Sequence, residues 1–302
     1  MRKVIRVHIN IEPKKEGFVM EQKSKQTFRH TYIPLTSSTS GMGIEVKEDV
    51  YVLNTQIVNI TLVGAPNQDH FVLIDAGMPK ADDEIIESID KRYGKGSKPK
   101  AIILTHGHFD HVGALEALLD KWDVPVYAHE LEIPYLTGQK DYPEPDYKAD
   151  GGLVPEIARF FPNHGIDIRD KVHPLPVDGS VPEMPDWKWI HTPGHTPGHI
   201  SLYREDDGFL IAGDAFVGVK QESLYKVLTQ KQEISGPPSY FTTDWQLAKE
   251  SVIKLNQLNP NFAVTGHGLP LLEEYLQKEL NILATNFDEI AVPKHSIYKK
   301  PK

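Results

Sequence analysis

Apolar positions in the first half of the chain follow two periods, one typical of β-strands and one typical of helices. Five short apolar runs predict strands: Glu45–Leu53, Gln56–Val63, Phe71–Ile74, Lys100–Leu104 and Val124–Ala128. Apolar residues at helical spacing predict one helix over Asp82–Tyr93 and a second that begins at about Asp110. This strand–helix–strand alternation is typical of a layered α/β protein.

The second half of the chain is richer in predicted strands. Four runs have the strand pattern: Trp187–His191, His199–Arg204, Gly208–Ala212 and Phe262–Val264. A helix is predicted over Thr243–Leu258, with Thr243 and Gln246 as its capping box, and a last helix over Leu271–Asn286. Periodicity alone therefore indicates the α/β class and nothing finer.

Composition narrows the class of protein. The 302 residues are 39% apolar and 25% charged, which is ordinary for a soluble globular protein, and no apolar run approaches the length of a membrane span. The chain has no cysteine, so it has no disulfide, thiolate ligand or thiol nucleophile. Because charged residues interrupt the apolar N-terminal stretch, no secretory signal is expected, and we expect a cytoplasmic protein.

Charge is distributed unevenly around a net value of −9. Residues 1–30 carry eight basic and three acidic side chains, whereas residues 31–264 carry 20 basic and 34 acidic ones. An acidic body repels polyanions, so a nuclease or another nucleic-acid partner is not expected. The expected partner is a small-molecule substrate, with no role for a membrane.

One heptapeptide carries most of the chemical information. Thr105–His111 contains three histidines and an aspartate, and it follows the predicted strand Lys100–Leu104. Imidazole and carboxylate groups are ligands that suit Zn²⁺, Fe and Mn²⁺. In such a turn His106 and His108 can share one metal ion, while Asp110 and His111 face a second.

Three further ligands are expected downstream, because one turn cannot complete a two-metal site. His195, Asp214 and His267 each follow a short strand-like run and lie beside a glycine, which lets the backbone approach closely. His191 and His199 compete with His195 for the same role. Ligands that come from separate strand ends and meet at one edge of a sheet would form a rigid metal site.

With these motifs in this order, residues 44–275 resemble the metallo-β-lactamase-fold hydrolase superfamily, in particular its glyoxalase II and lactonase-like branches. Asp75 lies in the early motif Leu73–Gly77. The resemblance implies a four-layer αββα sandwich and favours His195 over its neighbours, with His199 as a structural neighbour. It further implies that Asp75 orients a ligand and Asp214 bridges two divalent ions. One ion would be held by His106, His108 and His195, the other by Asp110, His111 and His267.

The expected reaction is hydrolysis by a hydroxide shared between two divalent metal ions, with zinc as the first choice and iron or manganese as alternatives. Asp110 would orient this nucleophile and pass a proton to the leaving group. The target would be an ester, lactone or thioester carbonyl. A glyoxalase II-like hydroxyacyl-thioester hydrolase and a phosphoester hydrolase remain alternatives, and a non-enzymatic metal-binding scaffold is disfavoured. Val217 stands where the lactonase branch usually has a tyrosine.

The predicted organisation is an N-terminal arm over residues 1–43, one domain over 44–290 and a tail over 291–302. An insertion over 131–172 separates the halves of the domain. It is interpreted either as a lid or pocket wall, or as a surface or dimer contact, so a second copy of the chain is a candidate partner. The candidate pocket residues are Tyr135, Tyr142, Tyr147, Phe216 and Tyr240.

Overall fold

A computed structural model describes residues 36–149 and 152–298 of the chain. Most of the predicted arm, up to residue 35, and the end of the predicted tail, from residue 299, lie outside these described residues. Among the described residues, no helix has both the length and the apolar character that crossing a bilayer requires.

The first sheet contains seven strands in chain order: β1 (Gly43–Lys47), β2 (Val50–Thr55), β3 (Val58–Val63), β4 (Val72–Ile74), β5 (Ile102–Ile103), β6 (Val126–Ala128) and β7 (Val172–Pro174). Strands β1 to β4 are antiparallel, and β4 to β7 are parallel. Parallel neighbours need crossover connections. Four helices occupy them: α1 (Asp82–Tyr93), α2 (Leu115–Lys121), α3 (Ile133–Leu136) and α4 (Leu153–Ala158).

The second sheet has six strands in the order β13-β12-β11-β10-β9-β8. Its strands are β8 (Ser180–Val181), β9 (Met184–His191), β10 (Ile200–Arg204), β11 (Phe209–Gly213), β12 (Phe262–Thr265) and β13 (Leu271–Leu272). Only β11 and β12 pair in parallel, and α5 (Leu224–Thr229) and α6 (Trp245–Gln257) lie in the connection between them. Helices α7 (Glu273–Thr285) and α8 (Phe287–Ile290) follow β13.

Successive residues of the central strands alternate between layers of the core. Leu73 and Ile102 pack against α1 and α2, whereas the adjacent Ile74 and Ile103 belong to the cluster between the two sheets. In β11, Ile211 enters that same central cluster. Because successive strand side chains point to opposite faces, a strand buried on both faces shows a continuous apolar run.

The outer face of the second sheet is covered in the same way. Leu210 and Ala263 pack with the apolar faces of α6 and α7, which include Val252 and Leu280. The layers therefore run helix, sheet, sheet, helix. The predicted four-layer αββα sandwich is confirmed.

Four predicted boundaries differ from the structure. The run Glu45–Leu53 is two strands, β1 and β2, joined by a turn. The helix predicted from Asp110 begins at Leu115, because the preceding backbone pairs with the loop after β4. In that pairing Ala76 N–H donates to the His111 carbonyl, and Gly113 N–H donates to the Gly77 carbonyl.

The last two predicted helices also begin later than expected. Asp244, not Thr243, caps α6, since its carboxylate accepts a hydrogen bond from Leu247 N–H at 3.0 Å. Helix α7 begins at Glu273, because Leu271 and Leu272 form strand β13 beside β12.

Candidate metal centre

The candidate ligands lie at the ends of strands from both sheets. Asp75 follows β4, and the Thr105–His111 turn follows β5. From the second sheet, Asp214 follows β11 and His267 follows β12, while His195 lies in the turn that joins β9 to β10. Since the strands are buried on both faces, these loops meet at a fixed edge of the sandwich.

A first group of three ligand atoms comes from histidines alone. His106, His108 and His195 are buried and offer one ring nitrogen each, with all three nitrogens within 4.8 Å of one another. Nδ1 of His108 lies 3.0 Å from Nε2 of His195. Three neutral imidazoles at this separation form a donor set that suits a divalent transition metal.

A second group combines two histidines with a carboxylate. Asp110, His111 and His267 also offer ligand atoms within 4.8 Å of one another. The Asp110 carboxylate lies 3.4 Å from Nε2 of His267 and 3.9 Å from Nε2 of His111. This group therefore has the mixed nitrogen and oxygen donors of a second metal position.

Asp214 lies between the two groups. Its carboxylate oxygens are 3.5 Å from Nε2 of His195, 3.6 Å from Nε2 of His111 and 3.3 Å from Nε2 of His267. It also completes a further cluster with His106 and His111. One carboxylate thus has an oxygen within reach of ions held in either group.

Several of these ligand atoms are buried without a hydrogen-bond partner among the described residues: Nε2 of His106, Nε2 of His111, Nε2 of His267 and Oδ1 of Asp214. Buried polar atoms are nearly always paired in folded proteins, so orphaned atoms need an explanation. Four such atoms in one cluster fit bound cations. The chain's own residues are therefore suited to two divalent metal ions.

Hydrogen bonds on the far side of the rings orient the ligand nitrogens. Nδ1–H of His111 donates to Asp75 at 2.8 Å, and Nδ1–H of His267 donates to the Ile57 carbonyl at 2.9 Å. Asp75 also accepts hydrogen bonds from the Thr105 amide and hydroxyl, at 2.7 and 2.8 Å. These contacts fix the tautomers and leave Nε2 of each ring facing the cluster.

The three histidines that competed in the sequence have different surroundings. His195 joins the cluster, and its Nδ1 lies 3.1 Å from the Thr242 hydroxyl. His199 holds Asp214 instead, because its Nε2 accepts the Asp214 amide hydrogen bond at 2.9 Å. His191 lies outside the cluster, where it stacks on His129 at 4.2 Å between ring centroids.

Neighbouring ligand atoms leave no room for a side chain at Gly266, the residue before His267. A Cβ atom at Gly266 would lie 2.0 Å from Oδ1 of Asp214 and 2.8 Å from Cε1 of His111. No larger side chain fits there unless the cluster moves. The glycine that the sequence places beside this histidine therefore allows the backbone of one strand end to lie against the ligands of two others.

Burial and charge divide the histidines into two electrostatic classes. In the first group, burial and the neighbouring histidines lower the pKa values of all three rings. The pKa values of His106 and His195 fall well below the ordinary histidine value, and the pKa of His108 falls to about 3. Burial alone would also lower the pKa of His267, but Asp214 and Asp110 outweigh it and raise the value to about 10. The same carboxylates and Asp75 raise the pKa of His111 well above its ordinary value.

The two carboxylates beside His111 and His267 are correspondingly acidic. Although burial opposes it, the nearby His267 and His111 hold the pKa of Asp214 well below its usual range. His111 and His267 lower the pKa of Asp110 in the same way. Both side chains are therefore ionised at neutral pH, as ligation of a cation requires.

The candidate pocket residues lie at different distances from the cluster. The Tyr142 ring lies 4.5 Å from the His108 ring, and Tyr135 stacks on Tyr142 at 4.1 Å between centroids. Tyr240 is buried in an aromatic cluster with Phe241 and Phe109. Part of the insertion therefore packs directly against the metal turn.

Two other candidate pocket residues have different surroundings. Phe216 is fully buried among the apolar side chains that pack with α6 and α7. Tyr147 is 44% exposed, with the Lys148 ammonium over its ring.

The segment Ser235–Phe241, which the sequence also offers as a candidate pocket wall, brings the Phe241 ring to 4.6 Å from the His108 ring. Sequence reasoning missed Glu132, which is fully buried and hydrogen-bonds to both ligand-bearing turns. Glu132 lies in no motif with metal-ligand spacing and stands close to the exposed Glu130 in an ordinary acidic stretch.

Comparison with known proteins agrees with the fold and the cluster. A family model of the metallo-β-lactamase superfamily matches residues 53–267. The probable metallo-hydrolase YflN of Bacillus subtilis is 51% identical over 262 residues, which cover 86% of this chain and 98% of that protein. Hydroxyacylglutathione hydrolase GloC of Haemophilus influenzae is 31% identical over 115 residues, covering 38% of this chain and 49% of GloC.

A solved structure extends the likeness to the fold. The subclass B3 metallo-β-lactamase BJP-1 of Bradyrhizobium japonicum aligns with 85% of this chain and 94% of its own, with a TM-score of 0.57 and 18% identity. At that identity the likeness shows the architecture alone. The architecture, the clustered ligands and the relatives define a metallo-hydrolase. The chain belongs to the metallo-β-lactamase superfamily.

Proposed function

We propose that this protein is a dinuclear metal-dependent hydrolase that acts on an ester, lactone or thioester carbonyl. The observation that carries the proposal is the pair of adjacent ligand groups with Asp214 between them. A storage or scaffold role would not need two metal positions that share a carboxylate. The ions are proposed to be zinc, with iron or manganese as alternatives that the same ligands accept.

Each ligand has a defined task in this proposal. His106, His108 and His195 would hold one ion, and Asp110, His111 and His267 the other, with Asp214 shared between them. Divalent ions bound there supply a water of lowered pKa and a Lewis acid for the substrate's carbonyl oxygen.

Asp110 is the proposed catalytic residue. Its carboxylate is ionised, because His111 and His267 lower its pKa. It is also the most exposed of the seven candidate ligands, at 6%. It can therefore orient the attacking water, accept its proton and transfer that proton to the leaving group.

The surroundings of the cluster favour an uncharged acyl group over a polyanionic phosphoester. Phe109, Phe161, Tyr240 and Phe241 form an aromatic group beside the metal turn. Among the ion pairs of the described residues, none joins a lysine or arginine to the seven candidate ligands. Aromatic surfaces beside the metal positions suit the apolar part of an acyl substrate.

A hydroxyacyl-thioester hydrolase is the second candidate. It is favoured by the likeness to the Haemophilus enzyme GloC, whose matched segment is 31% identical to this chain. The same cluster would serve this reaction, since a thioester carbonyl needs the same polarisation and nucleophile as a lactone carbonyl. Only the leaving group differs, a thiol in place of an alcohol.

The test combines metal analysis with an activity panel. Protein loaded with Zn²⁺, Fe²⁺ or Mn²⁺ is assayed for bound metal by mass spectrometry and for acid release from lactones, thioesters and phosphoesters. His106→Asn is the site variant, and His191→Asn is the matched control because His191 lies outside the cluster. The proposal predicts two ions per chain and carbonyl hydrolysis that only the His106 substitution abolishes.

Other outcomes would contradict the proposal in different ways. One ion per chain at saturation would refute the dinuclear centre. Two bound ions with turnover of phosphoesters alone would overturn the substrate class. Two bound ions without hydrolysis of any compound in the panel would favour the scaffold role.

A further inference from the structure

Glu132 is a carboxylate inside the protein that the proposed reaction does not use. It stands directly before α3 and is completely buried. Leaving a buried charge without partners is strongly destabilising. The partners of Glu132 therefore indicate what this buried carboxylate does in the structure.

The four partners of this carboxylate come from three separate segments. Oε1 accepts hydrogen bonds from the Thr196 hydroxyl and the Gly198 amide, both at 2.8 Å. Oε2 accepts one from the Gly107 amide at 3.1 Å and another from the Tyr142 hydroxyl. One side chain thus joins the metal turn, the turn after His195 and the insertion.

These contacts lie beside every member of the all-histidine ligand group. Gly107 stands between His106 and His108, and Thr196 follows His195 directly. The 3.0 Å separation of the ligand nitrogens of His108 and His195 is thus set by two turns that share one carboxylate. A shift of either turn would change that separation.

The two glycines make room for this arrangement. A Cβ atom at Gly198 would lie 2.8 Å from Cγ of Glu132, and one at Gly107 would lie 2.5 Å from the Tyr142 hydroxyl. Both turns therefore approach the carboxylate and its tyrosine closely enough to donate from the main chain. The glycines in the two histidine motifs therefore make room for Glu132 and Tyr142 in addition to their place beside the ligands.

We propose that Glu132 is a positioning residue that fixes the His106–His108 turn against the His195 turn and so sets the geometry of the first metal position. The proposal rests on the proposed metal centre, but it concerns metal binding and does not depend on which bond is hydrolysed. Hydrogen bonds to groups around metal ligands affect affinity because they fix the orientation of the ligands.

Glu132→Gln is the main test. The amide has the same shape but offers one acceptor oxygen, and its NH₂ group faces two of the four donors. Thr196→Val is the milder variant, since it keeps the carboxylate and removes one hydroxyl donor. If Glu132→Gln does not fold, Thr196→Val decides the outcome.

Asp146→Asn provides a matched control. Asp146 is also fully buried, and it accepts amide hydrogen bonds from Lys148 and Ile297 at 3.0 Å each, away from both turns. Its substitution alters an equally buried carboxylate whose side-chain hydrogen bonds go to neither ligand-bearing turn. The comparison thus separates positioning from a general loss of stability.

Two readouts are independent of turnover: the affinity for the first Zn²⁺ ion, from competition with a chelator, and the visible spectrum of the Co²⁺-loaded protein. We expect Glu132→Gln to lower the affinity for the first Zn²⁺ ion by about 10- to 100-fold and to shift the visible spectrum of the Co²⁺-loaded protein. Thr196→Val should change both in the same direction by less. Asp146→Asn should leave both at the wild-type values.

Two results would overturn the role of Glu132. The first is wild-type affinity and a wild-type spectrum in Glu132→Gln, or in Thr196→Val if Glu132→Gln does not fold. The second is an equal loss of affinity in Asp146→Asn. Failure of the proposed function looks different. A wild-type protein that binds two ions and hydrolyses nothing would refute the reaction and leave this comparison intact. A wild-type protein that binds no metal would overturn both proposals.

Discussion

The opposite pKa shifts in the two ligand groups predict how many protons leave when metal binds. Histidine ligates only in its neutral form, so any proton on a ligand nitrogen must be released. His106, His108 and His195 have lowered pKa values and are neutral at about pH 7.5. His111 and His267 have raised values, about 10 for His267, and are protonated at the same pH.

The expected number of protons follows from these states. An ion bound by the all-histidine group displaces almost no proton from its ligands. An ion bound by the second group displaces about two, one from His111 and one from His267. Since each released proton strengthens binding about tenfold per pH unit, the second ion should bind about 100-fold more tightly for each pH unit between about 7 and 9.

Calorimetric titration of metal-free protein with Zn²⁺ gives this number directly. The observed heat is measured at one pH in several buffers of different ionisation enthalpy, and its slope against that enthalpy is the number of protons exchanged. A metal-bound water that ionises adds at most about one further proton. His267→Ala should lower the release by about one proton, whereas the control His191→Asn should leave it unchanged.

A total release below about one proton for two bound ions would refute the reasoning. It would mean that Asp110 and Asp214 do not hold His111 and His267 in the charged form before metal binds. Equal release with each ion would contradict the division into two groups, even if the total agreed.

Three further predictions concern the cluster and its supports. Gly266→Ala places a Cβ atom 2.0 Å from Oδ1 of Asp214. We therefore expect the free energy of unfolding to fall by about 1–3 kcal/mol and the protein to bind one metal ion fewer. Wild-type metal content in that variant would contradict the close approach. Asp75→Asn should weaken metal binding by about 10- to 100-fold, because it disturbs the hydrogen bond that orients His111, whereas Asn at the exposed Asp186 should not. Four histidines in or beside the cluster have lowered pKa values: His106, His108, His195 and His199. Their folded-state pKa lies below the unfolded one, so the stability of the metal-free protein should fall by about 1.4 kcal/mol per such histidine for each pH unit below 6.5, as urea unfolding would measure. Unchanged stability down to about pH 5 would contradict the neutral state of these rings.

The sequence predicted those parts of the structure that follow from short-range pattern. All seven candidate ligands directly follow an apolar strand or lie in the turn between two, and the structure brings all seven together. Their spacing was informative because three histidines and an aspartate within six residues seldom serve any purpose but ligation. The layered fold followed for the same reason, since strands buried on both faces show continuous apolar runs.

Sequence reasoning failed where a long-range contact decides local structure. The helix predicted from Asp110 begins at Leu115, because backbone bonds to Ala76 and Gly77 compete with the first helical turn. Glu132 was missed because its partners lie up to 66 residues away along the chain.

The position of Asp214 explains how two ligand groups with opposite electrostatics form one centre. Its carboxylate lies within 3.6 Å of His195 on one side and of His111 and His267 on the other. The backbone amide of the same residue is held by His199, a ring that burial keeps neutral with a pKa of about 3. The negative charge therefore sits at a fixed place between the groups, where it raises the pKa of the second pair of histidines. A cation in the first group would oppose that effect of Asp214, so occupancy of the first group should ease the release of protons from the second.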